Sequence, residues 1–305
     1  MFLPPEAFGH SSADMSEDDV MLDLESASSW DVATRYHEFK AKPSAQNLAK
    51  HLRRLSAHAI LERAQAVLGS VVHPVTFRSS PWSEVPGEAQ QVDFDFDETI
   101  DNSPLALIPD SDHPLTAEDV WMEYEIHRSQ AIVLSVDTSL SMTGEKLALT
   151  AVALAVVLLQ FPDDPIGIVA FENEAKVLKR PDERISVQML VERFLDVPAQ
   201  GYTHLEHGMR AAWRLSETAA ASGRARRAST VLLTDGKYTA GRDPAYLAPK
   251  FSHLVVLKMG RERASLELCR ELATLGKGTL KEVAELEALP EVMYSVVKDL
   301  LRGRS

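Results

Sequence analysis

The chain has 305 residues with 45% apolar content, enough for one full-sized α/β domain and an appendage, and a formal net charge of −13. A single cysteine, Cys269, excludes an intrachain disulfide framework and fits a buried hydrophobe in a reducing compartment. The acidity is lopsided: residues 1–130 carry 9 Lys/Arg against 23 Asp/Glu, which disfavours nucleic acid or an anionic membrane as a partner for that half.

The first residues have neither a basic stretch nor an apolar core of the kind that marks a signal peptide. The longest apolar run, 147–159, is too short to cross a bilayer, which needs about 17 to 25 residues. A cytoplasmic protein is expected. Residues 1–43 are acidic and read as a largely disordered arm. Over 44–69, Leu48, Leu52, Leu55 and Ala59 recur at helical spacing through Val67 and Leu68, and predict one amphipathic helix. His51 and His58 on it, seven apart, read as surface or packing residues and not as metal ligands. Residues 70–118 hold six prolines and many acids, and read as a linker or wrapping segment. Within it, 92–100 alternates apolar and acidic like a short edge strand. Residues 120–126 predict a strand feeding a main domain over 119–305.

From 131 onward, strands and helices alternate, which predicts a mostly parallel six-stranded sheet with helices on both faces and one short antiparallel edge strand. Strand 131–137 is followed by a helix over 144–160 that is apolar nearly all round. A strand at 165–171 pairs with 175–178 as a hairpin across Asn173 and Glu174. Helices near 187–195 and 205–216 precede strands at 229–234, 254–259 and 278–283, and a last helix runs over 285–301.

Three strand-end or pre-helix loops then offer oxygen donors. Asp137, Ser139 and Ser141 follow the first strand, Thr203 sits in Gly201-Tyr202-Thr203-His204-Leu205, and Asp235 ends Leu232-Leu233-Thr234-Asp235-Gly236. Two carboxylates and three hydroxyls, without sulfur, are ligands for a hard cation such as Mg²⁺, with a position left open for a carboxylate from elsewhere. These D-x-S-x-S, G-x-T-x-L and T-D-G pieces, in this order, resemble the von Willebrand factor A domain and its metal-ion-dependent adhesion site. The resemblance covers about residues 125–305 and implies a Rossmann-like α/β domain. It implies that Ser139, Ser141 and Thr203 ligate Mg²⁺ or Mn²⁺, with Asp137 and Asp235 binding directly or through water. Leu140, Tyr202, His204 and Lys237 would form the rim that meets a partner. Leu140 and Tyr202 stand where the family usually has glycine.

The resemblance implies a protein-binding module rather than an enzyme. An acidic extension before such a domain resembles bacterial proteins paired with MoxR-type AAA+ ATPases, including the CoxE-like and chelatase-associated groups. An Asp or Glu from such an ATPase or its client would then complete the metal site. Rival motifs are weaker. Asp95-Phe96-Asp97-Glu98-Thr99 matches the D-x-D-x-T signature of haloacid dehalogenase-type phosphatases, whose carboxylate accepts a phosphoryl group, but no continuous apolar strand precedes it. Gly276-Lys277-Gly278-Thr279 lacks the spacing of a phosphate loop. His204 and His207 have zinc-like spacing on a helix's first turn and read as ordinary surface positions. No serine has an evident activating base. The alternatives are an Mg²⁺-dependent phosphohydrolase acting through Asp95 and Asp97, or a free-standing signalling or scaffold protein without an ATPase partner.

Overall fold

In the computed structural model the described residues are 28–40, 46–70, 78–87, 89–102, 116–125, 131–199, 201–221, 228–260, 262–263 and 265–301. The central element is β4 (Ala131–Asp137), buried at every position. Ile132, Leu134 and Val136 face one apolar layer and Val133 the other, so alternate residues supply two cores, as the period of two in a strand requires. Parallel partners flank it on both sides: β5 (Ile166–Phe171) and β7 (Ala228–Thr234). Beyond them lie β6 (Ala175–Lys179), antiparallel to β5, and β8 (His253–Met259) followed by β9 (Leu280–Val283), giving the order β6-β5-β4-β7-β8-β9.

On one face, α5 (Glu145–Gln160) is buried from Leu147 to Leu158. Its all-round apolarity follows from position: the sheet covers one side, while α6 (Val187–Leu195) and the C-terminal α9 (Leu289–Leu301) cover the others. The opposite face carries α7 (Leu205–Ala221) and α8 (Leu266–Leu275).

The acidic arm and the linker differ from expectation. Residues 28–40 form two short helices, α1 (Ser29–Thr34) and α2 (Tyr36–Lys40), that bury Val32, Ala33 and Tyr36. A capping box at Ser28 and Asp31 starts α1 by satisfying two orphan amides. Residues 1–27 and 41–43, the rest of the predicted arm, lie outside the described residues, as do 44–45 of the predicted helix. The long helix α3 (Gln46–Ser70) buries Leu52, Ile60 and Ala64 against α5, so this extension belongs to the domain's own core. Arg53 fastens it by pairing with Asp196, just after α6, at 2.9 Å.

The predicted linker supplies β1 (Arg78–Pro81) and β2 (Gln90–Phe94) of a second, antiparallel sheet, whose middle strand is β3 (Trp121–Glu125). Strand 121–125 therefore pairs locally and not with the main sheet. The edge-strand reading of 92–100 holds only as far as Phe94. Asp95 then accepts the amide of Glu98 at 3.1 Å and starts α4 (Phe96–Asn102).

Candidate metal centre

The chain leaves β4 for β5 on one side and later returns with β7 on the other, so β4 and β7 meet at the switch point of the sheet. Open α/β sheets place ligands beyond the strand ends at that point. Asp137 is the last residue of β4, Asp235 follows β7, and Thr203 immediately precedes α7.

Hydrogen bonds tie the three loops pairwise into a ring. The Leu140 amide donates to Gly201 O at 3.4 Å, joining the first loop to the second. Thr203 N–H donates to Thr239 Oγ1 at 3.0 Å, and the Thr239 amide returns a bond to Thr203 O at 3.0 Å, joining the second to the third. Thr234 Oγ1 donates to Asp137 Oδ2 at 2.9 Å, closing the ring.

Within it, Ser139 N–H donates to Asp137 Oδ1 at 2.9 Å, and the Ser139 and Ser141 hydroxyl oxygens lie 3.2 Å apart. Asp137, Ser139, Thr203 and Asp235 are buried, and Ser141 is exposed. Asp235 Oδ1 accepts the Lys237 amide at 3.0 Å, and its carbonyl accepts the Ser265 hydroxyl at 2.5 Å.

Burial pushes the Asp137 carboxyl up to about 6, against the pull of its bonds from Ser139 and Thr234, and the charge of Asp235 pushes the same way. Its hydrogen-bond partners among the described residues are all neutral. A bound cation would offset the cost of burying this carboxylate beside a second acid. With hydroxyls as the other donors, the set fits a hard divalent ion. The five predicted donors stand on three loops joined by these hydrogen bonds, and Asp137, Ser139 and Ser141 are linked to one another directly.

Positioning residues not identified from the sequence are Thr234, Thr239, Glu172 and Asn173. The Glu172 carboxylate accepts the Gly201 amide at 2.7 Å, and Asn173 Oδ1 accepts the Tyr202 amide at 3.2 Å, so the β5–β6 turn sets the second loop. Thr234 stands in the T-D-G piece and was legible as a strand end; the other three act across long separations and leave no local signal. Behind the third loop, Gly236 has φ 78°, and a Cβ there would sit 2.7 Å from Cys269 Sγ.

The rim is open. Leu140 is 61% exposed and Tyr202 69%. Neither has a positive φ, since Lys277 alone does so among the described non-glycine residues, so replacing the usual glycines strains no backbone. Lys237 is exposed and pairs with Glu262. His204 and His207 have ring centroids 5.4 Å apart, while Glu206 between them is held low, at about 2, by Tyr246, the Arg242 amide and Arg210. Among the described residues no group of three or more His, Cys, Asp or Glu is arranged to hold a metal, so any cation site here rests on hydroxyls.

The rival motifs take structural roles. Asp95 caps α4, and Thr99 Oγ1 donates to Asp95 O at 2.6 Å while accepting the Trp121 amide at 2.9 Å. Gly276 and Gly278 donate amides to Leu272 O and Ala273 O, so this glycine-rich turn closes α8. His51 and His58 are exposed, and Cys269 is buried.

The family model for the von Willebrand factor type A domain matches residues 132–237, a span that holds all five donors. The six-stranded sheet has that domain's Rossmann-like α/β fold. No curated protein matches. A von Willebrand factor type A structure from Catenulispora acidiphila is 20% identical, covers 59% of this chain and 44% of that one, and has a TM-score of 0.47. An aerotolerance-related membrane protein from Bacteroides fragilis is 18% identical, covering 56% of this chain and 99% of that one at TM-score 0.45. Proximal thread matrix protein 1 from the mussel byssus, with zinc in its MIDAS motif, is 19% identical over 57% of this chain and 48% of that one, at TM-score 0.45.

Proposed function

We propose that this chain is a metal-dependent protein-binding module without catalytic activity of its own, and that the carboxylate it captures belongs to a MoxR-type AAA+ ATPase or that ATPase's client. The observation that carries the reading is the ring of loop-to-loop hydrogen bonds around Asp137, Ser139, Ser141, Thr203 and Asp235. It joins the loops that carry these oxygen donors, and the buried Asp137 carboxylate accepts hydrogen bonds from neutral groups. Thr234 and the Ser139 amide orient Asp137, Thr239 orients Thr203, and the Lys237 amide orients Asp235. Bound Mg²⁺ or Mn²⁺ would supply a Lewis-acidic position for a partner's Asp or Glu. Exposed Leu140 and Tyr202 would give that partner apolar contact beside the charge. No helix among the described residues is long and apolar enough to cross a membrane.

Calorimetric titration of Mg²⁺ and Mn²⁺ into the wild type, Asp137→Ala and Thr203→Ala tests the site. Binding is expected in the wild type, with a loss of about 10-fold or more in each variant, since removing one ordered ligand costs more than 1.4 kcal/mol. Equal affinity in all three would exclude the site. Capture of a purified MoxR-type ATPase should disappear in EDTA and return with Mg²⁺. Capture that survives EDTA would refute the metal-bridged partnership.

A further inference from the structure

Between Arg78 and Arg128 the chain has no Lys or Arg, and residues 79–125 hold 13 Asp/Glu. That stretch builds the three-stranded sheet β1-β3-β2, whose edge strand β2 runs into α4. Four large apolar side chains are exposed on this short segment: Val92, Phe94, Phe96 and Ile100. Phe94 and Phe96 meet edge to face with centroids 6.1 Å apart, and Ile100 lies one helical turn after Phe96. Exposed apolar groups clustered on one edge mark an interaction surface more than isolated ones do.

The charge pattern says what the surface fits. Asp93, Asp97, Glu98 and Asp101 are exposed among these apolar residues, and no ion pair among the described residues involves them. In the β2–β3 register Asp93 lies directly opposite Glu123. Like charges facing each other across strands are destabilising, so this sheet carries repulsion that a cation placed alongside would relieve. Edge strands present unpaired backbone donors and acceptors to an incoming strand.

We propose that the β2–α4 edge is a docking site for a basic, amphipathic segment of another protein, with alternating Lys or Arg and aliphatic residues, which adds as a strand beside β2. Aliphatic side chains would pack on Val92, Phe94 and Phe96, and the basic ones would face Asp93 and Asp97. This site is separate from the metal centre and does not depend on it.

The test uses the full chain and a fluorescent synthetic peptide alternating Lys and Val, with a Lys–Gly peptide of equal charge as the comparison. The Lys–Val peptide should bind at least about 10-fold more tightly, weaken with salt, and be indifferent to EDTA. A Phe94→Ser/Phe96→Ser variant should lose about 10-fold or more in affinity, and Asp93→Asn/Asp97→Asn should flatten the salt dependence. Unchanged thermal unfolding would show that each variant is folded. Equal binding of both peptides would reduce the surface to non-specific charge and overturn the proposal, as would loss of binding in EDTA. A concentration-dependent dimer of the free chain that Phe94→Ser/Phe96→Ser abolishes would also overturn it, by assigning the edge to a second copy.

Discussion

Thr230 is buried in β7 between Val133 of β4 and Leu254 of β8, and its hydroxyl has no hydrogen-bond partner among the described residues. A buried hydroxyl left unpaired gives back none of its desolvation cost, while valine keeps the branched shape that a strand favours. Thr230→Val is therefore expected to raise stability by about 1 kcal/mol in urea unfolding, with metal affinity unchanged. At this scale the sequence was most informative about donors. Asp137, Ser139, Ser141, Thr203 and Asp235 stand out as candidates because each ends or follows a strand, or precedes a helix, within a few residues. The groups that aim them do not, because Glu172 and Thr239 reach the Gly201–Thr203 loop from 29 and 36 residues away. Leu140 shows the same limit from the other side: the sequence marks it as a departure from glycine, and only the backbone angle shows that the loop does not require one.

Elements place those residues. On the first turns of α7, a Cβ at Gly208 would sit 2.3 Å from the Phe171 ring at the end of β5. Gly208→Ala must push α7 off the sheet, with an expected cost of roughly 1–3 kcal/mol. Because Thr203 leads directly into α7, Mg²⁺ affinity should fall with stability, a pairing that Thr230→Val should not show. Parallel calorimetry on the two variants separates these outcomes. The alternation of β4 through β9 with their helices was readable because long buried runs and amphipathic stripes are strong signals. α1 and α2 were not, because elements of 6 and 5 residues are too short for periodicity to show. The small sheet was hidden for another reason: its strands are 4 or 5 residues long, acidic or proline-bearing, and their pairing depends on β3 turning away from the main sheet.

For the whole molecule, the N-terminal helices join the core at a titratable point. Burial lowers the His37 imidazole to about 4, and Lys40 pushes the same way while Asp196 opposes. Between its ordinary value of 6.5 and about 4 the unfolded chain binds the proton and the folded chain does not. Stability should therefore fall as pH drops through that window and be unaffected by His37 above it. Urea midpoints at neutral pH and near pH 5 should diverge more in the wild type than in His37→Gln. An equal shift in both would place the acid sensitivity elsewhere. The net charge of −13 comes from residues 1–130, which carry 9 Lys/Arg against 23 Asp/Glu, while residues 131–305 carry 23 against 22.

The packing of Cys269 behind Gly236 turns the metal centre into a site whose opening can be timed. The thiol is buried, is raised to about 11 by that burial, and lies against the turn that carries Asp235. A thiol reagent can reach it only when that turn and α8 move apart, so its modification rate counts separations of the third loop from α8. Saturating Mg²⁺ should slow labelling of the native chain and leave the rate in Asp137→Ala unchanged. That would provide a clock for the loop built from the chain's single cysteine.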